Sequence, residues 1–341
     1  MTHSTIKQDR AVAMWLLTCC ALVFAMVVLG GVTRLTGSGL SMVNWRPVTG
    51  VLPPLTTPQW QEAFSAYRGS PEFLKINPSM DLPGFKGIFW LEYSHRLLGR
   101  TIGIVFLIPF LFFWINGYIA RSRWPQYLFM FVLGGLQGVL GWYMVKSGLV
   151  NNPHVSQYRL CAHLVAAFAI YAYLLWTALN LLYPRTLRHH RYWFKRSLGI
   201  LAITSITVIS GAFVAGLKAG LAYNTFPLMA GHWIPPGMAS HSPWWRNLFD
   251  NITTVQFDHR ALAITTFITI MVYRYFAARD PDFPNGARHG ANILAIAAVL
   301  QVSLGILTLL LHVPTYLAAA HQAMALLLFT VAVWLCHSVN R

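Results

Sequence analysis

The chain has 341 residues, of which 56% are hydrophobic and only 10% are charged. That balance is too apolar and too poor in charge for a soluble protein of this size, so it indicates a membrane protein. The net charge of +16 would suit a nucleic-acid partner, but the basic residues lie mostly in short loops between apolar runs. We therefore expect the lipid bilayer, and no nucleic acid, as a partner of this chain.

Apolar runs of about 20 residues, the length that a helix needs to cross a bilayer, recur eight times along the chain. Their length and number predict an all-α integral membrane protein with eight transmembrane helices. The predicted spans cover residues 12–33, 87–118, 126–146, 159–183, 197–217, 256–276, 291–312 and 315–337.

Five segments that would share one side of the membrane carry most of the arginines and lysines. They are the N-terminus, the loops after the second, fourth and sixth spans, and the C-terminus. The positive-inside rule therefore places both termini in the cytoplasm and the two long loops, 34–86 and 218–255, outside. Since no transit peptide rich in Arg and Ser is visible, we expect a multi-pass protein of a bacterial inner membrane.

Four histidines recur near the start of the even-numbered runs: His95, His163, His259 and His321. An imidazole is costly in hydrocarbon without a partner, and four at one depth suggest two pairs that each bind a haem iron from both faces. Zinc is less favoured, because no two of them share a helix at a spacing of four. For any one of them alone, a helix–helix hydrogen bond or a proton relay is the alternative. The other histidines, His337 among them, are expected to be solvated.

An internal duplication relates the two halves of the chain. A shift of 164 residues superposes Glu92–Arg96 (EYSHR) on Gln256–Arg260 (QFDHR). The same shift superposes Gln137–Gly141 (QGVLG) on Gln301–Gly305 (QVSLG). Each half thus contributes one histidine from its second span and one from its fourth. Because facing helices of a four-helix bundle often build a haem site, we predict two pseudo-symmetric four-helix bundles.

The duplication also predicts where the halves divide. The N-terminal half covers residues 1–183, a basic cytoplasmic linker covers 184–196, and the C-terminal half covers 197–341. The first spans of the two halves align with a shift near 180, which pairs Gly31 with Gly211. Glycines in these spans indicate close helix packing, and on their own they say little about a ligand.

The halves differ most at Glu92, whose counterpart is Gln256. Glu92 lies three residues before His95, so on a helix both side chains project from the same face. Since a carboxyl group can exchange a proton and an amide cannot, the first half is expected to do chemistry while the second holds a fixed cofactor. The alternative for Glu92 is an ion pair with Arg96, four residues further on.

Arginines follow the histidines in both halves, as Arg96 and Arg260. Guanidinium groups suit contacts with carboxylates such as haem propionates, so both residues are candidates for propionate binding. The alternative is that they only extend their charged ends to the membrane interface.

Three stretches resemble the haem A synthase family, in the branch shared by proteobacteria and mitochondria. They are Gly30–Trp45 (GGVTRLTGSGLSMVNW), Pro53-Pro54 and Glu92–Arg100 (EYSHRLLGR). The likeness covers essentially the whole chain, including the eight spans, the duplication and the four histidines. Some relatives carry a cysteine pair in the first outer loop, which is free of cysteine in this chain.

The resemblance implies a reaction and a division of roles. Enzymes of this family oxidise the C8 methyl group of haem O to a formyl group, which gives haem A for cytochrome c oxidase. By residue match, His95 and His163 would bind the iron of the substrate, haem O. His259 and His321 would bind the iron of a resident haem b, and Glu92 would be the catalytic carboxylate.

The resemblance also implies partners in the same membrane, namely haem O synthase and cytochrome c oxidase assembly factors. The electron acceptor, the source of the inserted oxygen and a homo-oligomeric state stay open at this point. Two other functions would use the same histidines. A di-haem b-type cytochrome that only relays electrons would not need Glu92, and a transporter that relays protons would bind no haem.

Overall fold

A computed structural model describes residues 3–43, 49–149, 153–183 and 190–340 of the chain. Eight of its helices are long and apolar enough to cross a membrane. They are α1 (His3–Leu35), α2 (Leu82–Ile115), α3 (Trp124–Lys146), α4 (Gln157–Leu182), α5 (Arg191–Leu217), α6 (Ile252–Arg279), α7 (Asn285–Leu310) and α8 (Thr315–Val339).

The eight spans predicted from the sequence are thereby confirmed, and the chain is an all-α, multi-pass membrane protein. The ends of the helices differ from prediction, because hydropathy finds only the part of a helix that is apolar. Helix α2, for instance, begins at Leu82 rather than at residue 87, where the Asp81 carboxylate accepts a hydrogen bond from the Gly84 amide (2.9 Å) and caps the helix. Asn44 and Trp45 of the family-like motif, and residues 184–189 of the linker, lie outside the described residues.

The chain folds as two compact units, one formed by Thr18–Tyr171 and the other by Met1–Leu17 with Ala172–Arg341. The larger unit has a continuous apolar core in which Ile270, Leu294 and Leu335 are fully buried. The smaller unit holds most of α1, all of α2 and α3, and the first half of α4. The division into functional halves 1–183 and 197–341 stays a prediction.

The loop between α1 and α2, which the sequence predicts to face outward, contains short helices. It forms two short helices, Thr57–Arg68 and Pro71–Lys75, which pack on the first turns of α2. Their aromatic side chains stack edge-on and face-on with those of α2, as Tyr67 does with Phe85 at 5.2 Å between ring centroids. We call this group the outer aromatic cluster; it consists of Trp60, Tyr67, Phe73, Phe85, Phe89 and Tyr93. The cluster anchors the loop to the same helix that carries Glu92 and His95.

The second outer loop is held at its end by Asn251, the cap of α6. Its Oδ1 accepts hydrogen bonds from the amides of Thr253 (2.9 Å) and Thr254 (3.2 Å), and its Nδ2 donates to the Gly237 carbonyl (2.8 Å). One side chain therefore fixes both the loop and the start of the helix that carries His259.

The expectation that His337 is solvated is wrong. This residue is only 2% exposed, because the last turn of α8 packs on the last turns of α4. The His337 Nε2 lies 3.1 Å from the Asn180 Oδ1, and its ring meets Trp176 edge-on. An apolar run that ends close to the chain terminus gives no sign of such a neighbour.

Candidate functional site

The structure places each of the four histidines in an even-numbered helix. His163 and His321 are the seventh residues of α4 and α8, and His259 is the eighth residue of α6. His95 is the fourteenth residue of α2, because that helix begins earlier, in the outer aromatic cluster. All four side chains are half-buried, so part of each imidazole is open to a ligand.

Each compact unit brings two of the imidazoles together. His163 lies close enough to His95 in one unit for a charge on one ring to affect the other, and the same holds for His259 and His321 in the other unit. Within the described residues, His, Cys, Asp and Glu side chains form no group of three or more that could hold a metal ion. A pair suits an iron that takes its other ligands from a porphyrin, whereas zinc usually takes three or four ligands from the protein.

Each imidazole also lies against a glycine of the preceding helix. In the smaller unit, a Cβ added at Gly30 would lie 3.0 Å from the His95 Nε2, and one added at Gly141 would lie 3.0 Å from the His163 Cε1. Neither position can therefore take a larger residue unless the imidazole moves.

The larger unit repeats this arrangement. A Cβ added at Gly211 would lie 3.0 Å from the His259 Cε1, and one added at Gly305 would lie 2.8 Å from the His321 Cε1. All four of these glycines lie five or six residues before the end of an odd-numbered helix. Each helix hairpin thus has a glycine near the end of its first helix and a histidine near the start of its second.

Only part of this pattern could be predicted from the sequence. It paired Gly141 with Gly305 correctly, but it paired Gly31 with Gly211, whereas Gly30 is the residue that faces His95. Other glycines of the spans, such as Gly138, have no atom within 4 Å of an added Cβ. The glycines that lie against an imidazole are identified by their position, five or six residues before the end of a helix.

The histidines differ in the hydrogen bonds that they make. Ser210 lies 2.8 Å from the His259 Nδ1, and the Gln301 Nε2 lies 3.3 Å from the His321 Nε2. In the smaller unit, the Gln137 Nε2 donates instead to the backbone carbonyl of His163 (2.7 Å). The two sites therefore share their ligand type and differ in the groups that orient the ligands.

Glu92 is 3% exposed, and both of its carboxylate oxygens accept hydrogen bonds. The Oε2 accepts from the Ser41 hydroxyl (2.7 Å) and from the Met42 amide (2.8 Å). The Oε1 accepts from the Nη2 (2.6 Å) and the Nε (3.1 Å) of Arg96. The ion pair between these two residues, an alternative raised by the sequence, is thus present, and the carboxylate is held in one position beside the helix turn of His95.

Arg96 and Arg260 make equivalent contacts in their own units. The Arg96 Nη2 donates to the Met42 carbonyl (2.9 Å), just after α1. The Arg260 Nη2 and Nη1 donate to the carbonyls of Tyr223 (2.8 Å) and Thr225 (2.7 Å), shortly after α5. Both arginines therefore tie an outer loop to a histidine-bearing helix, and their contact with propionates stays a prediction.

Buried polar atoms without a hydrogen-bond partner concentrate around the two imidazole pairs. Such atoms are rare in native proteins, and they often mark a place where another molecule binds. Those near the pairs are His163 Nδ1, His321 Nδ1, Gln137 Oε1, Gln256 Oε1, Gln301 Oε1 and Arg260 Nε. Three features together fit a flat metallocycle with polar substituents. They are the paired imidazoles, the glycines beside them and the buried polar atoms without a hydrogen-bond partner.

Comparison with known proteins agrees with this reading. A family model described as cytochrome oxidase assembly protein matches residues 13–333. The chain is 54% identical to a heme A synthase of Nitrosospira multiformis over 344 residues, which cover 100% of this chain and 96% of the relative. It is 49% identical to a heme A synthase of Parvibaculum lavamentivorans, with 99% and 97% covered. It is 45% identical to the human protein named heme A synthase COX15, with 98% and 83% covered.

Gly305→Ala tests the contact between glycine and histidine. Because the added Cβ would lie 2.8 Å from the His321 Cε1, the imidazole must move, at a cost of about 1–3 kcal/mol. We expect the purified variant to lose most of one low-spin haem signal, measured as haem bound per protein. Gly286→Ala, on the same helix and with nothing within 4 Å of the added Cβ, is the control. Equal haem loss in both variants would contradict the prediction.

Proposed function

Because the chain belongs to the family of cytochrome oxidase assembly proteins, we propose that it is a haem A synthase. This enzyme oxidises the C8 methyl group of haem O to a formyl group and so makes haem A for cytochrome c oxidase. The observation that carries the proposal is the half-buried imidazole pair in each unit, with a buried carboxylate beside only one of them. Relatives named heme A synthase cover the whole chain, which favours this enzyme over a di-haem cytochrome that only relays electrons.

The smaller unit is the site for the substrate. His95 and His163 bind the iron of haem O, and the glycines behind their rings keep the imidazoles in position. Haem O carries a farnesyl tail, so it can reach a site between apolar helices directly from the lipid. With water as the oxygen donor, the conversion of a methyl to a formyl group (R–CH3 + H2O → R–CHO + 4 H+ + 4 e−) is a four-electron oxidation, and an external acceptor takes these electrons.

Glu92 is the catalytic carboxylate of this site. Its described partners, Ser41, Met42 and Arg96, are all donors that hold it as an anion in a fixed place. A fixed negative charge stabilises positive charge that develops on a nearby carbon, and release of one donor would let the same oxygen accept a proton. Gln256 occupies the equivalent position of the larger unit, which lacks this chemistry.

The larger unit holds a resident haem b through His259 and His321. When bound, this haem supplies one-electron transfer. The protein contributes the ligand pair, the glycines behind them, and the hydrogen bonds of Ser210 and Gln301. Arg96 and Arg260 are the candidates for the propionates of the two haems, because each follows a proposed iron ligand directly and guanidinium groups suit carboxylates.

The enzyme lies in a bacterial inner membrane with both termini in the cytoplasm, as the distribution of arginine and lysine indicates. Haem O synthase supplies the substrate, since it shares the membrane and the product is too apolar to leave it. Assembly factors of cytochrome c oxidase receive haem A.

Removal of single ligands separates the two sites. We expect His259→Ala or His321→Ala to lose the bis-histidine, low-spin form of the resident haem b and to retain less haem, since only one of the two protein ligands remains. Changes at His95 or His163 should mainly block turnover. Haem content and haem A formation in membranes supplied with haem O measure the two effects, and exposed His232→Ala is the control. Undiminished haem A formation in His95→Ala would contradict the assignment of the substrate site.

Glu92→Gln tests the catalytic carboxylate. We expect haem A formation to fall at least about 100-fold, with both haems still bound. The variant should keep its fold, because the larger unit carries an amide at the equivalent position, where the Gln256 Nε2 donates to the Tyr223 carbonyl (3.0 Å). In the smaller unit the new amide oxygen can still accept from the Met42 amide, as the Glu92 Oε2 does. Ser41→Ala, which removes one hydrogen bond but keeps the carboxylate, should retain most activity. Full turnover in Glu92→Gln would rule out a role in the chemistry.

Cysteine labelling tests the orientation, because the four native cysteines are buried. Ser65 lies exposed in the first outer loop and Ser122 lies exposed between α2 and α3. In intact spheroplasts, a membrane-impermeant maleimide should label Ser65→Cys, whereas Ser122→Cys should react only after permeabilisation. The opposite pattern would place the termini outside.

A further inference from the structure

Ser210 is the residue just before Gly211 on α5, and its Oγ lies 2.8 Å from the Nδ1 of His259. From this contact we infer that Ser210 is a positioning residue of the second haem site, which fixes the tautomer and the angle of the His259 imidazole. The inference rests on the proposed function, and it concerns how the resident haem is retained.

The hydrogen bonds of Ser210 determine the position of the proton. Its Oγ lies 2.8 Å from the Thr207 carbonyl, which can only accept. The Oγ also lies 2.8 Å from the His259 Nδ1. With one hydroxyl hydrogen, both contacts are hydrogen bonds at once only when the hydroxyl donates to the carbonyl and accepts from the Nδ1, and this is the tautomer that we assign. The Nε2 of His259 is then left with a free lone pair, which is the form that binds iron.

The other hairpins lack this device. The residues that precede their glycines are Leu29, Leu140 and Leu304, whose side chains cannot accept a hydrogen bond. The Nδ1 atoms of His163 and His321 are buried and have no hydrogen-bond partner. Ser210 is therefore an addition to one site rather than part of the common hairpin.

The consequence is a ligand that binds iron more strongly. A partner on the second ring nitrogen orients a histidine and raises its basicity, and loss of such partners typically lowers metal affinity about 10–100-fold. A more basic imidazole also stabilises ferric over ferrous iron, which lowers the haem potential. Such a ligand suits a haem that must stay bound, whereas a substrate haem has to leave after each reaction.

The test uses the full-length chain with His95→Ala, so that the bis-histidine signal arises from the second pair alone. Ser210→Ala should bind haem about 10-fold less tightly, measured by transfer of haem to apomyoglobin, and its midpoint potential should become more positive in a redox titration. Ser210→Cys, with a weaker acceptor, should give a smaller change, and Ser210→Thr should resemble the parent. Ser205→Ala is the control, because the Ser205 hydroxyl donates to the Leu201 carbonyl on the same helix.

The outcomes separate this inference from the proposed function. Equal potentials and equal haem transfer in Ser210→Ala and Ser205→Ala would overturn the role of Ser210 while leaving the haem site intact. A parent chain without any bis-histidine spectrum would overturn the assignment of His259 and His321, and the role of Ser210 with it. A change in haem binding that is largest in Ser210→Ala, smaller in Ser210→Cys and smallest in Ser210→Thr would support the hydrogen bond itself as the cause.

Discussion

The cost of placing an imidazole inside an apolar helix constrains the rest of this structure. Each such group loses about 2–7 kcal/mol of hydration unless it gains a partner, and the chain places four of them at corresponding points of four hairpins. The structure places the two rings of each unit near one another and a glycine behind each ring. Neither feature satisfies the ring nitrogens, and the buried Nδ1 atoms of His163 and His321 have no hydrogen-bond partner. A site for an iron porphyrin requires imidazoles whose ring nitrogens are not all hydrogen-bonded within the protein.

The contact between each outer loop and its histidine-bearing helix shows which features are structural and which are chemical. In both units an arginine one residue after the histidine donates to loop carbonyls, so this contact occurs in both. The residue four positions before that arginine is an amide in one unit and a carboxylate in the other. The larger unit fastens its loop through Gln256, whose Nε2 donates to the Tyr223 carbonyl, so a charge at this position is not a general requirement of the contact. A buried carboxylate carries a desolvation cost that an amide avoids, and the catalytic role proposed for Glu92 accounts for that cost.

Much of this could be predicted from the sequence, because span length, histidine depth and the duplication are all one-dimensional properties. The choice between Gly30 and Gly31 could not, since adjacent helix residues point about 100° apart and an alignment does not measure rotation. The outer aromatic cluster was missed because Trp60, Tyr67 and Phe73 lie between the apolar runs, and no pattern in the sequence shows that they pack on the start of α2. The burial of His337 depends on a neighbour, Asn180, that lies far away in the chain. The hydrogen bond between His259 and Ser210 depends on the rotamers of both side chains, and rotamers cannot be read from a pattern of residue types.

The two halves illustrate how a duplicated site acquires two functions with few changes. A shared hairpin with glycine and histidine gives both units the imidazole pair to which we assign a haem iron. One unit then differs by a carboxylate at Glu92, and the other by a hydroxyl at Ser210. In the proposed function, the first change adds reactivity beside a ligand and the second strengthens a ligand. A site that releases its product gains nothing from the hydroxyl, since tighter binding of haem A would slow release. A site that retains its haem gains nothing from the carboxylate, since a charge close to an unreactive haem adds only a desolvation cost.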